Sequence, residues 1–307
     1  MRLDCWMLLP LLGLVACTQE LTVTDTPWNQ GDPLLVVHDR TLHTIDDRLF
    51  GQFLERASFG DHGPEWFTDP HTGRLDPRIV DLLKAMDIPV IRFPGGTDVD
   101  YIDWRDMIDR VPGRDGPRPL TRGHNAKPIT NHFGYDEYFH LRDQLGCQTI
   151  LVVNLLDGLA RRRPLDQAAQ RAAGLVAYAN APQDAELPHG MPDWPAVRAA
   201  NGHPRPFAAE YVQIGNEAFT GAFRKQVRQG SGIEDDQALA QWYAQVYSAY
   251  IRAIRAVDPH IKIIIDGWMG ESTFSRAVRD DEYIMANVAF FAHQIGRASC
   301  RERVCHR

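Results

Sequence analysis

The stretch Glu210-Tyr-Val-Gln-Ile-Gly-Asn-Glu217 carries the residues best placed for chemistry: an amide and a carboxylate, Asn216 and Glu217, side by side where an apolar run stops. Strands of a parallel sheet are apolar because both of their faces are covered. Polar groups set where such a strand ends lie at the mouth of a barrel or the edge of a sheet, where active sites form. Four more groups stand in the same relation to an apolar run: Glu55 after 49–54, Arg92 within 89–96, Asn154 after 149–153 and Asp266 after 262–265. Arg92 reads equally as a substrate contact and as the partner that keeps a neighbouring carboxylate ionised. Asn154 and Asp266 have a second reading, as loop caps. Gly95 and Gly96 suit a tight turn. His62, His124, His132 and His140 have no ligand spacing and read as loop or surface residues, so no metal site is expected.

Helical spacing separates these runs. Ile79, Leu82, Leu83 and Met86 form one face behind Asp76-Pro77, a good helix start. Residues 135–145 predict a second helix with Gly146 at its C-cap, and 165–179 an Ala-rich third. A long amphipathic helix follows over 239–257, and 281–292 begins another. Strands alternating with helices predict parallel strands in right-handed βαβ units. A doubly wound sheet gathers its site at one switch point, usually on a Gly-rich turn, whereas a barrel collects residues from every strand around one mouth. Because all five strands deliver a polar group to the same end, the expected fold is a (β/α)8 TIM barrel of which about five units are present. The chain has no Gly-x-Gly-x-x-Gly, Walker loop or His-Glu-x-x-His, so nucleotide and zinc-protease functions have no motif to rest on.

The two ends differ from this body. Residues 6–16 form an apolar run too short to span a bilayer and suited to a secretory leader. The run ends in Leu14-Val15-Ala16-Cys17, which is similar to the lipobox of bacterial lipoproteins and would make Cys17 a lipidated first residue. Residues 17–30 are then a polar tether, 31–48 an N-terminal arm, and 49–294 the barrel portion. Residues 295–307 lose all periodicity and resemble a translated sequencing adapter, so the natural reading frame is expected to be interrupted near Gln294. Setting aside the tail's four arginines and one glutamate takes the net charge from −7 to −10. Such an acidic body is a poor partner for nucleic acid, whose affinity rests on neutralising phosphates. Of five cysteines only Cys147 lies in the barrel portion, which leaves no intradomain disulfide.

An ordered set of motifs resembles the family-51 glycoside hydrolases, the α-L-arabinofuranosidases. The set comprises Gly51-Gln-Phe-Leu-Glu55, Arg92-Phe-Pro-Gly-Gly96, Trp104, Phe133-Gly-Tyr-Asp-Glu-Tyr138, Val153-Asn154, Ala177-Tyr-Ala-Asn180, Arg198-Ala-Ala-Asn-Gly202 and Gly215-Asn-Glu217. The resemblance implies a (β/α)8 barrel with an accessory β-sandwich, to which the run near Leu34 would contribute a strand. It implies a retaining enzyme with no metal or other cofactor, acting on an arabinose-containing polysaccharide or oligosaccharide. Glu217 would be the general acid/base and Asn216 would bind the sugar 2-hydroxyl. Glu55 would bind furanose hydroxyls, Arg92 would organise the mouth, and Thr97 and Asn154 would be further sugar contacts. Thr97 stands where the family carries Asn, which keeps one hydroxyl and loses a two-sided amide.

Retaining hydrolysis needs one carboxylic acid to protonate the leaving oxygen and a second carboxylate to attack from the opposite face, roughly 5 Å away. The acid's pKa must be raised, so Glu217 is expected to be buried beside another carboxylate. The resemblance places the nucleophile at the end of a seventh strand, and Glu271, in the loop after the fifth, does not qualify. Two alternatives stay open at this level: another retaining glycosidase of the same barrel clan, such as an endo-glycanase or β-xylosidase, and a non-catalytic glycan-binding lipoprotein. Homo-oligomerisation of the full-length protein is also open.

Overall fold

The computed structural model describes residues 44–56, 63–218 and 220–265. The chain divides into two compact units, Met1–Leu49 and Phe50–Arg307. Only 44–49 of the first are described, and the sheet, its helices and the candidate site all belong to the second. The leader, Cys17, the run near Leu34, Asp266, Glu271, the helix expected over 281–292 and the tail lie outside the described residues.

The second unit is built on a five-stranded sheet. Its strands are β1 (Gln52–Phe53), β2 (Val90–Phe93), β5 (Gln148–Val153), β6 (Tyr211–Ile214) and β7 (Lys262–Ile265). A small antiparallel ribbon, β3 (Thr121–Arg122) with β4 (Pro128–Ile129), interrupts the series between β2 and β5. In space the order is β1-β2-β5-β6-β7 and every neighbouring pair is parallel. The order never reverses, so there is no switch point of the doubly wound kind. Each strand adds to the same side as the one before, as staves of a barrel wall do, and the sheet is an incomplete α/β barrel.

Helices α1 (Pro77–Ala85), α2 (Tyr135–Leu145), α4 (Leu165–Asn180) and α7 (Asp236–Val257) make the four crossovers, with α3 (Leu156–Leu159), α5 (Trp194–Ala200) and α6 (Gly221–Ser231) inserted in the loops. Their ends follow local chemistry. The Asp76 and Asp235 carboxylates accept backbone N–H bonds from Arg78 and Ala238, and Gly146 closes α2 at φ +69°. The alanines of α4 let it lie close against its neighbours. A Cβ at Gly174 would stand 2.8 Å from the Trp194 indole nitrogen, so Gly174 is what admits that ring. Trp194 in turn meets Trp104 edge-on, with centroids 4.7 Å apart. Phe93 stacks on Tyr138 at 4.3 Å, fastening β2 to α2.

One expectation shifts and two elements come without a sequence signal. The first strand, expected over 49–55, is ordered as β only at Gln52–Phe53. Among the described residues its one neighbour is β2, and Phe53 stays 59% exposed, so packing does not extend it. The inserted helix α6 escapes a search for periodicity because only Phe223 and Val227 give it an apolar side. Nothing apolar and periodic marked the β3–β4 ribbon.

Candidate active site

Because the strands are parallel, everything that follows one of them lies at one edge of the sheet. Glu55, Thr97, Asn154, Asn216 and Glu217 all do, and Arg92 sits one residue short of the end of β2.

Glu55 is held against the turn after β2. Its Oε1 accepts the Gly96 N–H at 3.2 Å. The two glycines of that turn serve different needs. Gly95 has φ +101° and a Cβ there would fall 2.5 Å from the Glu55 Cα, so both conformation and space require glycine. Gly96 has no such φ, but its Cβ would fall 2.3 Å from Glu55 Oε1. The strand end is anchored from below by Arg56, which is 1% exposed, pairs with Glu65 at 2.5 Å and donates to Asn131 Oδ1 at 2.7 Å. Burial pushes the Arg56 pKa down, and the Glu65 carboxylate opposes that.

Arg92 reaches two amides on the far side of β5. Its Nε donates to Gln213 Oε1 at 2.9 Å and its Nη2 to Asn216 Oδ1 at 2.6 Å. Asn216 is buried, and its Nδ2 lies 3.5 Å from the Thr97 hydroxyl. This links Arg92, Asn216 and Thr97 in one network. Asn154 is tied differently: its Oδ1 accepts the Asp157 N–H at 2.9 Å and caps the turn into α3. The loop-cap reading therefore describes that oxygen.

Glu217 follows a sharp turn. Gly215 has φ +82° and Glu217 itself has φ +49°, a left-handed conformation that non-glycine residues adopt at a cost. A Cβ at Gly215 would strike Leu155 at 2.7 Å. The turn carries the Glu217 carboxylate clear of the sheet, and the residue is exposed. This corrects the expectation of a buried acid. Five staves wall only one side of the mouth, so among the described residues nothing closes over Glu217.

Two acids after Thr97 give the rim its shape, and the sequence reading passed over both. Asp100, fully buried, accepts the Leu155 and Leu156 N–H groups at 2.7 and 3.1 Å, tying the loop after β2 to the end of β5. Asp98, 1% exposed, accepts the His124 N–H at 2.8 Å and lies 2.7 Å from its Nδ1. His124 is thus an anchored rim residue rather than a free surface group. His132 is likewise half-buried, with Nε2 at 2.6 Å from the Glu65 carbonyl oxygen. The alternation Asp98-Val-Asp100 just after the Gly pair was the available signal. Among the described residues no group of three or more His, Cys, Asp or Glu could hold a metal ion. No described helix is long and apolar enough to cross a membrane.

Comparison with known proteins matches residues 82–303 to the family model described as the α-L-arabinofuranosidase 1 domain. α-L-Arabinofuranosidase C of Emericella nidulans is 28% identical over 255 residues, covering 80% of this chain and 44% of that protein. The intracellular exo-α-(1→5)-L-arabinofuranosidase of Streptomyces lividans is 27% identical over 239 residues, covering 76% of this chain and 31% of its own length. The chain therefore spans less than half of either of these relatives. Among solved structures, a family 51 α-L-arabinofuranosidase from Bifidobacterium longum superposes with a TM-score of 0.54 at 22% identity, over 75% of this chain and 39% of that one. The thermostable family 51 α-L-arabinofuranosidase from Thermotoga petrophila superposes at 0.52 and 22% identity, over 71% of this chain and 40% of that one. At that identity these two matches establish the fold.

Proposed function

The chain belongs to the α-L-arabinofuranosidase 1 domain family, and from that premise we propose that it forms the acid/base half of the barrel of a retaining α-L-arabinofuranosidase. The complete protein would remove arabinofuranosyl residues from plant polysaccharides or their oligosaccharides. The observation that carries this reading is the convergence at one sheet edge of Glu55, fixed by the Gly96 N–H, Asn216, fixed by Arg92, and Glu217, the next residue in the chain.

In this reading Glu217 protonates the leaving oxygen and then, as carboxylate, draws a proton from the attacking water. Asn216 binds the sugar 2-hydroxyl, Glu55 the furanose hydroxyls, and Thr97 lines the same side. In this reading the attacking carboxylate would come from a later strand of the complete protein, together with the rest of the wall around Glu217.

We also propose that the protein is exported and anchored through a lipid on Cys17, on the strength of the lipobox-like Leu14–Cys17. Labelled palmitate incorporated by the wild type and lost in Cys17→Ala would support this; equal labelling of both would refute it.

The test of function uses the complete protein and an aryl α-L-arabinofuranoside. Glu217→Ala is expected to lower kcat by about 10²–10⁴-fold on a natural arabino-oligosaccharide, the usual weight of a proton-transfer group. The loss should be much smaller on an aryl substrate whose leaving group needs little protonation. Equal small losses on both would refute the assignment, and a complete protein inactive on every arabinofuranoside would refute the function.

A further inference from the structure

Strand β6 carries one polar side chain where its companions are apolar. Gln213 alternates with buried Val212 and Ile214 and points to the same face as Arg92 of β2. Strand β5 lies between them: Arg92 is in register with Ile150, and Val152 with Gln213. The two side chains meet across that strand.

Their contacts form a chain in which each link fixes the direction of the next. Gln213 lies 2.8 Å from the Gly215 carbonyl oxygen, which only accepts, so the near end of the Gln213 amide is its Nε2. The far end is then Oε1, which receives Arg92 Nε at 2.9 Å. A guanidinium only donates. The Asn216 atom 2.6 Å from Arg92 Nη2 is accordingly Oδ1. That leaves the Nδ2 of Asn216 turned away from Arg92, towards the Thr97 hydroxyl at 3.5 Å.

We infer that Gln213 is a positioning residue: through Arg92 it fixes which end of the Asn216 amide faces the ligand, so that Asn216 meets the sugar as an N–H donor and not as an acceptor. This deepens the glycosidase reading and rests on it. Gln213 is assigned no contact with the sugar. It acts by holding Arg92 in the one orientation that occupies Asn216 Oδ1. Without it, Arg92 Nε loses the Gln213 acceptor, the aim of Nη2 on Asn216 Oδ1 is relaxed, and the Asn216 amide can present either end.

The test measures inhibition constants on the complete protein for the five-membered iminosugar 1,4-dideoxy-1,4-imino-L-arabinitol and its 2-deoxy derivative. Gln213→Met is expected to weaken the parent iminosugar about tenfold, the worth of one hydrogen bond. The 2-deoxy compound, which offers Asn216 no oxygen, should change less than about twofold. Gln213→Glu keeps an oxygen for Arg92 and should retain most of the preference for the parent compound, and it serves also if the Met variant does not fold. Asn216→Asp keeps the oxygen that Arg92 uses and removes only the outward N–H, so it should lose the preference. Equal weakening of both compounds in Gln213→Met, no change of either in Gln213→Met, or loss of the preference in Gln213→Glu would overturn the inference and leave the glycosidase reading intact. An Asn216→Asp variant that keeps the preference would overturn it too. A wild type that binds neither iminosugar would overturn the glycosidase reading and this inference with it.

Discussion

Replacing Asp136 with Asn should stabilise the protein at alkaline pH and leave it nearly unchanged in acid. Asp136 sits at the start of α2, 6% exposed, and its Oδ1 accepts a hydrogen bond from the Tyr178 hydroxyl. Arg118 is the obvious counter-ion, with Nη2 at 3.6 Å from Asp136 Oδ2. Yet Arg118 is shared: it binds Glu137 through two bonds of 2.6 and 2.9 Å and lies 2.9 Å from Asp109. His203 Nε2 is 3.9 Å from Asp136 Oδ1, but burial pushes the His203 pKa down and so disfavours the charged form that would help. Burial therefore prevails over the Tyr178 hydrogen bond and Arg118, and pushes the Asp136 carboxyl up from 3.8 to about 7.

The sign follows from that direction. A group whose pKa is raised by folding keeps its proton in the native state after the unfolded chain has lost it. Its contribution is complete below about pH 4 and is lost as pH rises to about 7. Each pKa unit is worth about 1.4 kcal/mol, so the full span is on the order of 4 kcal/mol, with about half that expected after local relaxation. Asn keeps the oxygen that Tyr178 uses and carries no charge at any pH. Urea unfolding of wild type and Asp136→Asn between pH 4 and 9 should give a difference that grows in favour of the variant up to about pH 7 and then levels. A flat difference, or a variant less stable at pH 8, would mean that Asp136 is an ionised partner of Arg118 and that burial has been overrated.

Other expectations follow from single contacts. Gly96→Ala would set a methyl 2.3 Å from Glu55 Oε1; it should cost the complete enzyme at least about tenfold in kcat/KM with a Tm change of only a few degrees, since a displaced site residue is felt in catalysis first. Wild-type kinetics in that variant would show that Glu55 need not lie there. Asp100→Ala removes the acceptor of two buried N–H groups, those of Leu155 and Leu156, and should destabilise by about 2–4 kcal/mol in urea unfolding. A loss below about 0.5 kcal/mol would show that water replaces the carboxylate.

How much of this was legible in the sequence depended on how strongly each element repeats itself. Helix α2 and strand β6 were expected at the bounds they have, Tyr135–Leu145 and Tyr211–Ile214, because periodicity and end signals agree there. Helix α6 has too thin an apolar side to register, and β1 is short because Phe53 stays exposed and packing does not extend the strand. The site divides in the same way. Glu55, Arg92, Asn216 and Glu217 could be found because each stands at or near a strand end. Gln213 could not be assigned a role, since a lone amide within a strand has no sequence signal beyond its polarity. The exposure of Glu217 was likewise hidden, because burial at a barrel mouth depends on strands far along the chain.

Gln213 and Arg92 also explain why the site and the sheet cannot vary independently. A half-buried amide or guanidinium on a sheet face, as Gln213 and Arg92 are here, costs free energy when it is left without partners. Here neither group is isolated, because each satisfies the other across β5, and the remaining ends reach Gly215 and Asn216. That arrangement exists only in the observed register, with Val152 opposite Gln213 and Ile150 opposite Arg92. A slip of one residue in β6 would turn Gln213 to the other face and Val212 or Ile214 towards Arg92, leaving the guanidinium without its amide. It would also move Asn216 and Glu217 off the mouth. The same polar pair thus penalises the wrong register and orients the right one, so that the folding of β6 against β5 and the aiming of the turn that carries Asn216 and Glu217 are a single event.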